Sequence, residues 1–390
     1  MRKIKIAALF LLCTALLTGC WDRTEINDIA IVLASSIDKE GDKYRVALEI
    51  PLAGKLGGPS GGGGGSGGEK SFYIDSEIGK TVRDADDRLQ MRMSREIFLS
   101  HRRVIVVGEE LAKAGIMDLL DSIPRVPENR LTAYMVVAEG SGFDVLKAEP
   151  KLERFSAEAI REIVKTGNYN TQNIKEIAQA INQPGVDPVL LLLRPKKSEK
   201  ATQPSSEIEV VGYAQFKHDK WIATYHEETA RAVNWLRNDI RSYVTTLQLK
   251  DSKEFASFRI REGETEIKVQ PKGSSLHFSA NVTVQASVLE SYAKDELDET
   301  EVIRKYEEAL TEHIQKGINS LFEQIKKHSA DPAGFGRIVD QTYPMLWKQK
   351  YEKQWDELLP LCTFEANVKT RLVHVGQTSE NIGERRDISE

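Results

Sequence analysis

The sequence predicts an α+β protein of two to three domains, each a β-sheet with helices packed on it. Three features say so. Strand-length runs rich in Ile, Val and Leu recur along the chain, bounded by Gly, Asp and Lys turns. Stretches with apolar residues three and four apart stand between them in blocks. At 390 residues the chain exceeds what one hydrophobic core usually serves.

Residues 29–37 and 44–52 are two apolar runs around Lys39-Glu40-Gly41-Asp42 and predict a β-hairpin. Residues 57–68 are almost wholly glycine and serine, a composition that forms no core, and predict a disordered loop. Val82, Ala85, Leu89 and Met93 fall on one helical face. The run Val104-Ile105-Val106-Val107, a turn at Gly108, a helical pattern through Leu111, Met117, Leu119 and Leu120, and residues 131–138 predict a βαβ unit with a parallel pair. A helix over residues 155–166 is expected to close at Gly167-Asn168 in a left-handed ending. A second, with Ile174, Ile177, Ala178 and Ile181 in phase, stops at Pro184, and residues 189–193 form a short buried strand. Residues 29–197 are thus an N-terminal α+β domain.

The polar residues 196–206 predict a domain boundary. A middle α+β domain, 205–260, opens with a hairpin of residues 208–216 and 221–225 around His218-Asp219-Lys220. A helix over residues 229–243 follows, with Ala232, Val233, Trp235, Leu236 and Ile240 on one side, then strands at 243–249 and 255–260. The C-terminal α+β domain, 261–376, adds strands at 266–269 and 276–288 and a long helix over 296–328. Lys316-Gly317 interrupts the heptads a coiled coil requires, so the apolar stripe of that helix predicts packing on a sheet. A turn at Asp331-Pro332-Ala333-Gly334-Phe335-Gly336, a helix that Pro344 kinks or restarts, and a strand at 364–375 complete the fold. Residues 377–390 are a polar tail.

The start of the chain sets where it works. Arg2, Lys3 and Lys5 precede an apolar run over residues 6–17, the two parts of a secretory signal peptide. That run is too short for a membrane-spanning helix, which needs about 20 apolar residues. Leu17-Thr18-Gly19-Cys20 is a lipobox: residues 1–19 are removed after Gly19, and Cys20 carries the S-diacylglyceryl and N-acyl anchor. Residues 20–28 are then a neck between lipid and fold. Cleavage moves the formal charge from −5 to about −8, which argues against nucleic acid and against a polybasic grip on anionic lipid. Cys13 leaves with the signal and Cys20 is alkylated, so Cys362 has no disulfide partner and reads as a buried small hydrophobe.

No chemistry emerges from the motifs. G-x-S-x-G around Ser60 and Ser66 lacks the strand and helix of a nucleophile elbow. Gly68 is followed by Glu69 and Lys70, not by the Lys-Ser/Thr of a P-loop. His226-Glu227-Glu228-Thr229-Ala230 puts alanine where H-E-x-x-H needs its second ligand, and one imidazole holds no catalytic zinc. Glu109 and Glu110 behind Gly108 would repel an anion, so that turn is structural. Catalytic, cofactor and metal residues are therefore none.

Several of these segments together resemble one family. Cys20-Trp21-Asp22-Arg23 with Glu25-Ile26; Arg95 and His101-Arg102-Arg103; Gly108-Glu109-Glu110-Leu111-Ala112 with Gly115; Gly212-Tyr213-Ala214, Phe216-Lys217 and Asp219-Lys220; and residues 331–336 with Pro344 and Trp347 resemble, in order and spacing, the C-subunit lipoproteins of spore germinant receptors. This is the Ger(x)C family of endospore-forming bacteria. The chain departs from it at Ala223, where glycine is usual, and in its long glycine-serine stretch. The resemblance implies three α+β domains and a non-enzymatic subunit. It implies work beside a multi-spanning B subunit, similar to amino-acid transporters, and a membrane-embedded A subunit. The implied place is the outer face of the inner spore membrane, where nutrient binding is converted to germination. The competing reading is a solute-binding lipoprotein of a transport system, which would need two similar lobes closing on a pocket.

Overall fold

The computed structural model describes residues 25–52, 71–167, 169–199, 205–250, 253–293, 297 and 299–374. Residues 1–19, read from the sequence as a signal peptide, Cys20, the glycine-serine stretch and the tail lie outside the described residues.

The fold is α+β and rests on two sheets of eight and four strands, with a two-stranded ladder beside the first. The ladder pairs β1 (Ile29–Ile31) with β5 (Glu96–Phe98) in parallel. The eight-stranded sheet contains β2 (Ala34–Glu40), β3 (Lys43–Pro51), β4 (Phe72–Gly79), β6 (Val104–Val107), β7 (Tyr134–Ala138), β8 (Val189–Lys197), β9 (Ser206–Lys217) and β10 (Lys220–Tyr225). Its order is β10-β9-β8-β7-β6-β2-β3-β4. The four central strands β2, β6, β7 and β8 run parallel, and antiparallel hairpins extend them on both sides. Strands buried on both faces read as unbroken apolar runs, which is why Val104-Ile105-Val106-Val107 shows no alternation.

Those two faces hold different cores. Ile105, Val107, Met135 and Leu192 join Ala85 and Leu89 of α1 (Val82–Gln90), the short helices α2 (Glu109–Ala114) and α3 (Met117–Ser122), and the α6 helix Ile174–Asn182. Val104, Val106, Val136 and Leu193 instead face α4 (Gly142–Leu146) and α5 (Ser156–Thr166). This second core continues through Tyr213 of β9 and Trp235 of α7 (Glu227–Leu236) into the smaller sheet. That sheet, in the order β11-β12-β13-β14, consists of β11 (Tyr243–Gln248), β12 (Phe255–Lys272), β13 (Ser275–Ser291) and β14 (Thr363–His374). The long helix α8 (Thr300–His328) lies on it through Tyr306, Leu310, Ile314, Leu321 and Ile325. Each such fully buried side chain contributes about 1.5–3 kcal/mol. Two short helices, α9 (Phe335–Thr342) and α10 (Pro344–Leu346), lead through a π turn and further short turns to α11 (Trp355–Leu358) and β14.

Several expectations shift for identifiable reasons. The polar stretch read as a boundary lies inside the β8–β9 hairpin of the large sheet, and residues 205–260 are divided between the two sheets rather than owning one. β4 went unforeseen: an edge strand with Asp75, Ser76 and Glu77 inside it has little apolar pattern. The predicted strands at 255–260 and 266–269 are one strand, because a bulge between Ile260 and Glu262 inverts the alternation midway. The predicted helix over 229–243 stops at Leu236, since Asn238 adopts φ 53, and Tyr243 belongs to β11. Gly167 ends α5 in extended geometry at φ −69 rather than left-handed. A Cβ there would sit 2.3 Å from the Ile163 carbonyl oxygen, so close approach is what requires glycine. The long helix runs unbroken through Gly317 as expected, and there its bare Cα lets α7 come close, where a Cβ would lie 3.0 Å from the Glu228 carbonyl oxygen.

Two carboxylates inside the strands position helices. Glu49 of β3 accepts from the Ser156 amide and hydroxyl, both at 3.0 Å, and from the Ala157 amide at 2.9 Å, so it caps α5. Asp38 of β2 accepts from the Gly142 and Phe143 amides at the start of α4. Burial pushes the Glu49 carboxyl up to about 7, against its three donors. A carboxyl raised in the folded state gives stability present in full below its unfolded value of about 4.5 and lost as pH rises through 7, on the order of 3 kcal/mol. Urea unfolding from pH 4.5 to 8 should therefore show wild type losing stability relative to Glu49→Gln. Parallel pH profiles would contradict this.

Candidate functional site

Cys20, the one residue to which the sequence assigns a modification, lies outside the described residues. Trp21, Asp22 and Arg23 of the family-like opening also lie outside them, and several of the family-like residues from Arg102 onward act as joints of the fold. Gly108 opens α2 beside Asp38; a Cβ would stand 2.1 Å from Asp38 Oδ1. Gly115, at φ 131, leaves room for Asp219, whose carbonyl accepts from the Ile116 amide at 2.9 Å and so ties the βαβ helices to the β9–β10 turn. Gly212, at φ 147, bulges β9 where a Cβ would meet the Tyr225 carbonyl oxygen at 2.0 Å. Tyr213 donates to Asn234 Oδ1 at 2.9 Å and accepts from the Asn170 amide at 2.7 Å. Arg102 is buried and donates to Ser35 and Asn129, while Arg103 and His101 are exposed.

The tightest joint lies around Asp331. Its Oδ1 accepts from the Gly334 and Phe335 amides at 2.7 and 2.9 Å, and its Oδ2 from the Gly336 amide at 2.9 Å and Trp355 Nε1 at 3.3 Å. One carboxylate thus fixes the turn, the start of α9 and α11. Asp187, just before β8, binds the same residue twice: its amide donates to the Asp331 carbonyl and its Oδ2 accepts from the Asp331 amide, each at 2.8 Å. Lys217 at the end of β9 donates to Asp187 Oδ2 at 3.2 Å. Burial, with Asp187 as a neighbouring charge, raises the Asp331 carboxyl to about 6, against the three amides that favour its ionised form. Gly185 and Gly336 touch backbone to backbone under the Trp347 and Trp355 rings; a Cβ on Gly336 would lie 2.3 Å from Gly185 Cα. Gly336→Ala should force this contact apart and lower stability by about 1–3 kcal/mol. Urea unfolding followed by tryptophan fluorescence measures it, and a loss below about 0.5 kcal/mol, the range of neutral surface changes, would refute it.

An enzyme-like grouping does arise that the sequence did not show: Glu228 and Arg231 of α7 meet Thr245 and His313. His313 Nε2 lies 3.3 Å from Glu228 Oε1 and 3.1 Å from Thr245 Oγ1, which in turn donates to Glu228 at 3.1 Å. Burial pushes the Glu228 carboxyl up, but His313 and Arg231 outweigh it and hold it below the usual range. A nucleophilic triad needs its acid on the far imidazole nitrogen and an open hydroxyl. Here one nitrogen faces both partners and Thr245 is 4% exposed, so the group is a bridge between α7, α8 and β11. His226, exposed, sets Nδ1 3.2 Å from the Val211 carbonyl oxygen. Among the described residues no three His, Cys, Asp or Glu side chains could hold a metal ion. Cys362 is buried, and burial raises its thiol to about 11.

The described surface carries two concavities of note. A polar concavity of about 740 Å³ on the small sheet is lined by Asp239, Glu262, Glu264, Lys369 and Arg371. A cleft of about 600 Å³ lies where the described chain begins, between residues 26–31, the end of β3 and residues 92–95, and its wall is mainly isoleucine, leucine, proline and methionine. No helix among the described residues is long and apolar enough to cross a membrane.

The sequence missed Asp38, Glu49 and Asp187. Their signal was present: a carboxylate inside or beside an apolar strand run is expensive unless amides meet it.

Comparison with known proteins places the chain. A model described as the spore germination protein N-terminal domain matches residues 22–195, and one described as spore germination B3/GerAC like, C-terminal, matches residues 211–376. The seam between them falls in the β8–β9 hairpin. The Bacillus subtilis protein YfkR, whose description assigns it to spore germination, is 35% identical over 349 residues, covering 89% of this chain and 90% of that one. Spore germination protein KC of Bacillus subtilis is 26% identical over 396 residues, with 96% of each chain covered. The crystal structure of the GerBC protein shares the fold, with a TM-score of 0.54 at 15% identity over 87% of this chain and 96% of that one. The chain belongs to the GerAC-like family of spore germination proteins.

Proposed function

We propose that the protein is the non-enzymatic C subunit of a nutrient germinant receptor, held by the lipids on Cys20 at the outer face of the inner spore membrane and docking there on the membrane-embedded A and B subunits. Family membership over both halves of the chain carries this reading. The lipobox supports it, since a protein tethered beside its partners needs only a weak docking surface to remain bound. The residues that resemble the family's signature serve the fold, which fits a subunit acting through its surface. A mixed eight-stranded sheet beside a four-stranded one offers no pair of similar lobes, and that argues against a solute-binding lipoprotein.

Spores lacking this chain should lose germination with one group of nutrients, keep it with others, and regain it when the chain is restored. Unchanged germination across the nutrient panel would contradict the reading. Thermal shift of the purified protein with amino acids and sugars separates the solute-binding alternative, where ligand at a hundred times its Kd would add about 2.7 kcal/mol.

A further inference from the structure

We propose that the apolar cleft at the start of the described chain is the face laid against the bilayer, with Ile26, Tyr73 and Met91 entering the lipid interface and Arg95 at the level of anionic headgroups. The proposal rests on the lipidation of Cys20.

Reach comes first. Ile26 lies six positions after Cys20, and a fully extended chain covers at most about 3.6 Å per residue. Ile26 is therefore within roughly 22 Å of the anchoring sulfur, less than the thickness of a bilayer, in whatever conformation the neck adopts. Chemistry agrees. Large apolar side chains project here into solvent: Ile26 is 75% exposed and Tyr73 45%, both on the cleft wall, and Met91, next to the rim residue Arg92, is 84% exposed. Behind them Ile29, Ile31, Ile50 and Leu52 line the cleft. A contiguous exposed apolar patch marks a surface that meets a partner or a membrane, and tyrosine with its apolar ring and polar tip suits the interface. Arg92 is tied to Asp75 and Glu77, which leaves Arg95, exposed on the same rim, as the cation for headgroups.

Another occupant is at hand in the chain itself, because residues 53–70 leave from Leu52 on the rim. Residues 57–68 are almost wholly glycine and serine, with no large apolar side chain to fill an apolar cleft. The lipid surface, held there by covalent reach, is the occupant that fits. The β4 edge of the large sheet would then lie nearest the membrane, and the Asp331 joint, beyond β8, at least five strand spacings or roughly 24 Å further along it.

The test uses the full lipidated chain in vesicles of phosphatidylcholine and phosphatidylglycerol, with an environment-sensitive fluorophore on Ile26→Cys, Met91→Cys or, as control, Met345→Cys. Met345 is exposed in α10 beside the Asp331 joint. The buried Cys362 is a poor competitor for the label. Labels at 26 and 91 should shift to the blue and be quenched by brominated lipid, while the label at 345 does neither. If the protein floats with the vesicles but labels at 26 and 91 behave like the control, the face is not at the bilayer and the anchor still stands. Labels shielded from an aqueous quencher yet untouched by bromolipid mean that protein covers the cleft, which overturns the proposal as well. Protein that fails to float removes the anchor and this inference together.

Discussion

Asp331→Ala is expected to destabilise the protein by about 3–5 kcal/mol, a large share of the stability of an ordinary domain. The substitution removes the shared acceptor of three amides and one indole N–H in a fully buried site. Each donor left without a partner costs about 1–3 kcal/mol. The Asp187 amide keeps its bond to the 331 carbonyl, so the loss falls on the turn and on α9 and α11 rather than on the whole sheet. Asp331→Asn should be milder. Its carbonyl retains Gly334 and Phe335 if it occupies the Oδ1 position, but its amino group then faces Gly336 N–H and Trp355 Nε1. Trp347 and Trp355 beside the joint give a direct fluorescence readout. Urea unfolding in which Asp331→Ala lies within about 1 kcal/mol of wild type, a typical mutational effect, would show that the carboxylate does not hold the joint.

Cys20→Ala has the largest expected effect on location. On the proposed anchoring the variant would lack the acyl chains, each methylene of which contributes about 0.8 kcal/mol to membrane binding, and two chains are what makes anchoring stable. In cells without the A and B subunits the variant should move from the membrane pellet to the supernatant. Keeping the partners out matters because docking alone could retain the protein. A variant that still pellets as wild type does, under those conditions, would place the anchor elsewhere.

The local elements were legible because their signals are local. The apolar runs of β6, β7 and β8, the phase of Ile174 and Ile177, and the stripe along α8 each sit within one element. Legibility failed where one residue changes the phase, as at the Ile260–Glu262 bulge, or where an edge strand is only half buried, as β4 is. It failed again at the joints, which pair residues 144 apart, as Asp187 with Asp331, or 107 apart, as Glu49 with Ser156. Local patterning carries no information about such partners, so the polar stretch, which falls where the two family models meet, did not show that a hairpin keeps both of its sides in one sheet.

The docking reading is tested most directly by affinity purification of the tagged protein from detergent-solubilised inner spore membranes, with mass spectrometry of what accompanies it. Multi-spanning transporter-like B and membrane-embedded A subunits in comparable amounts are the expected result. Recovery of this chain alone, from membranes in which both partners are present, would contradict a stable receptor complex.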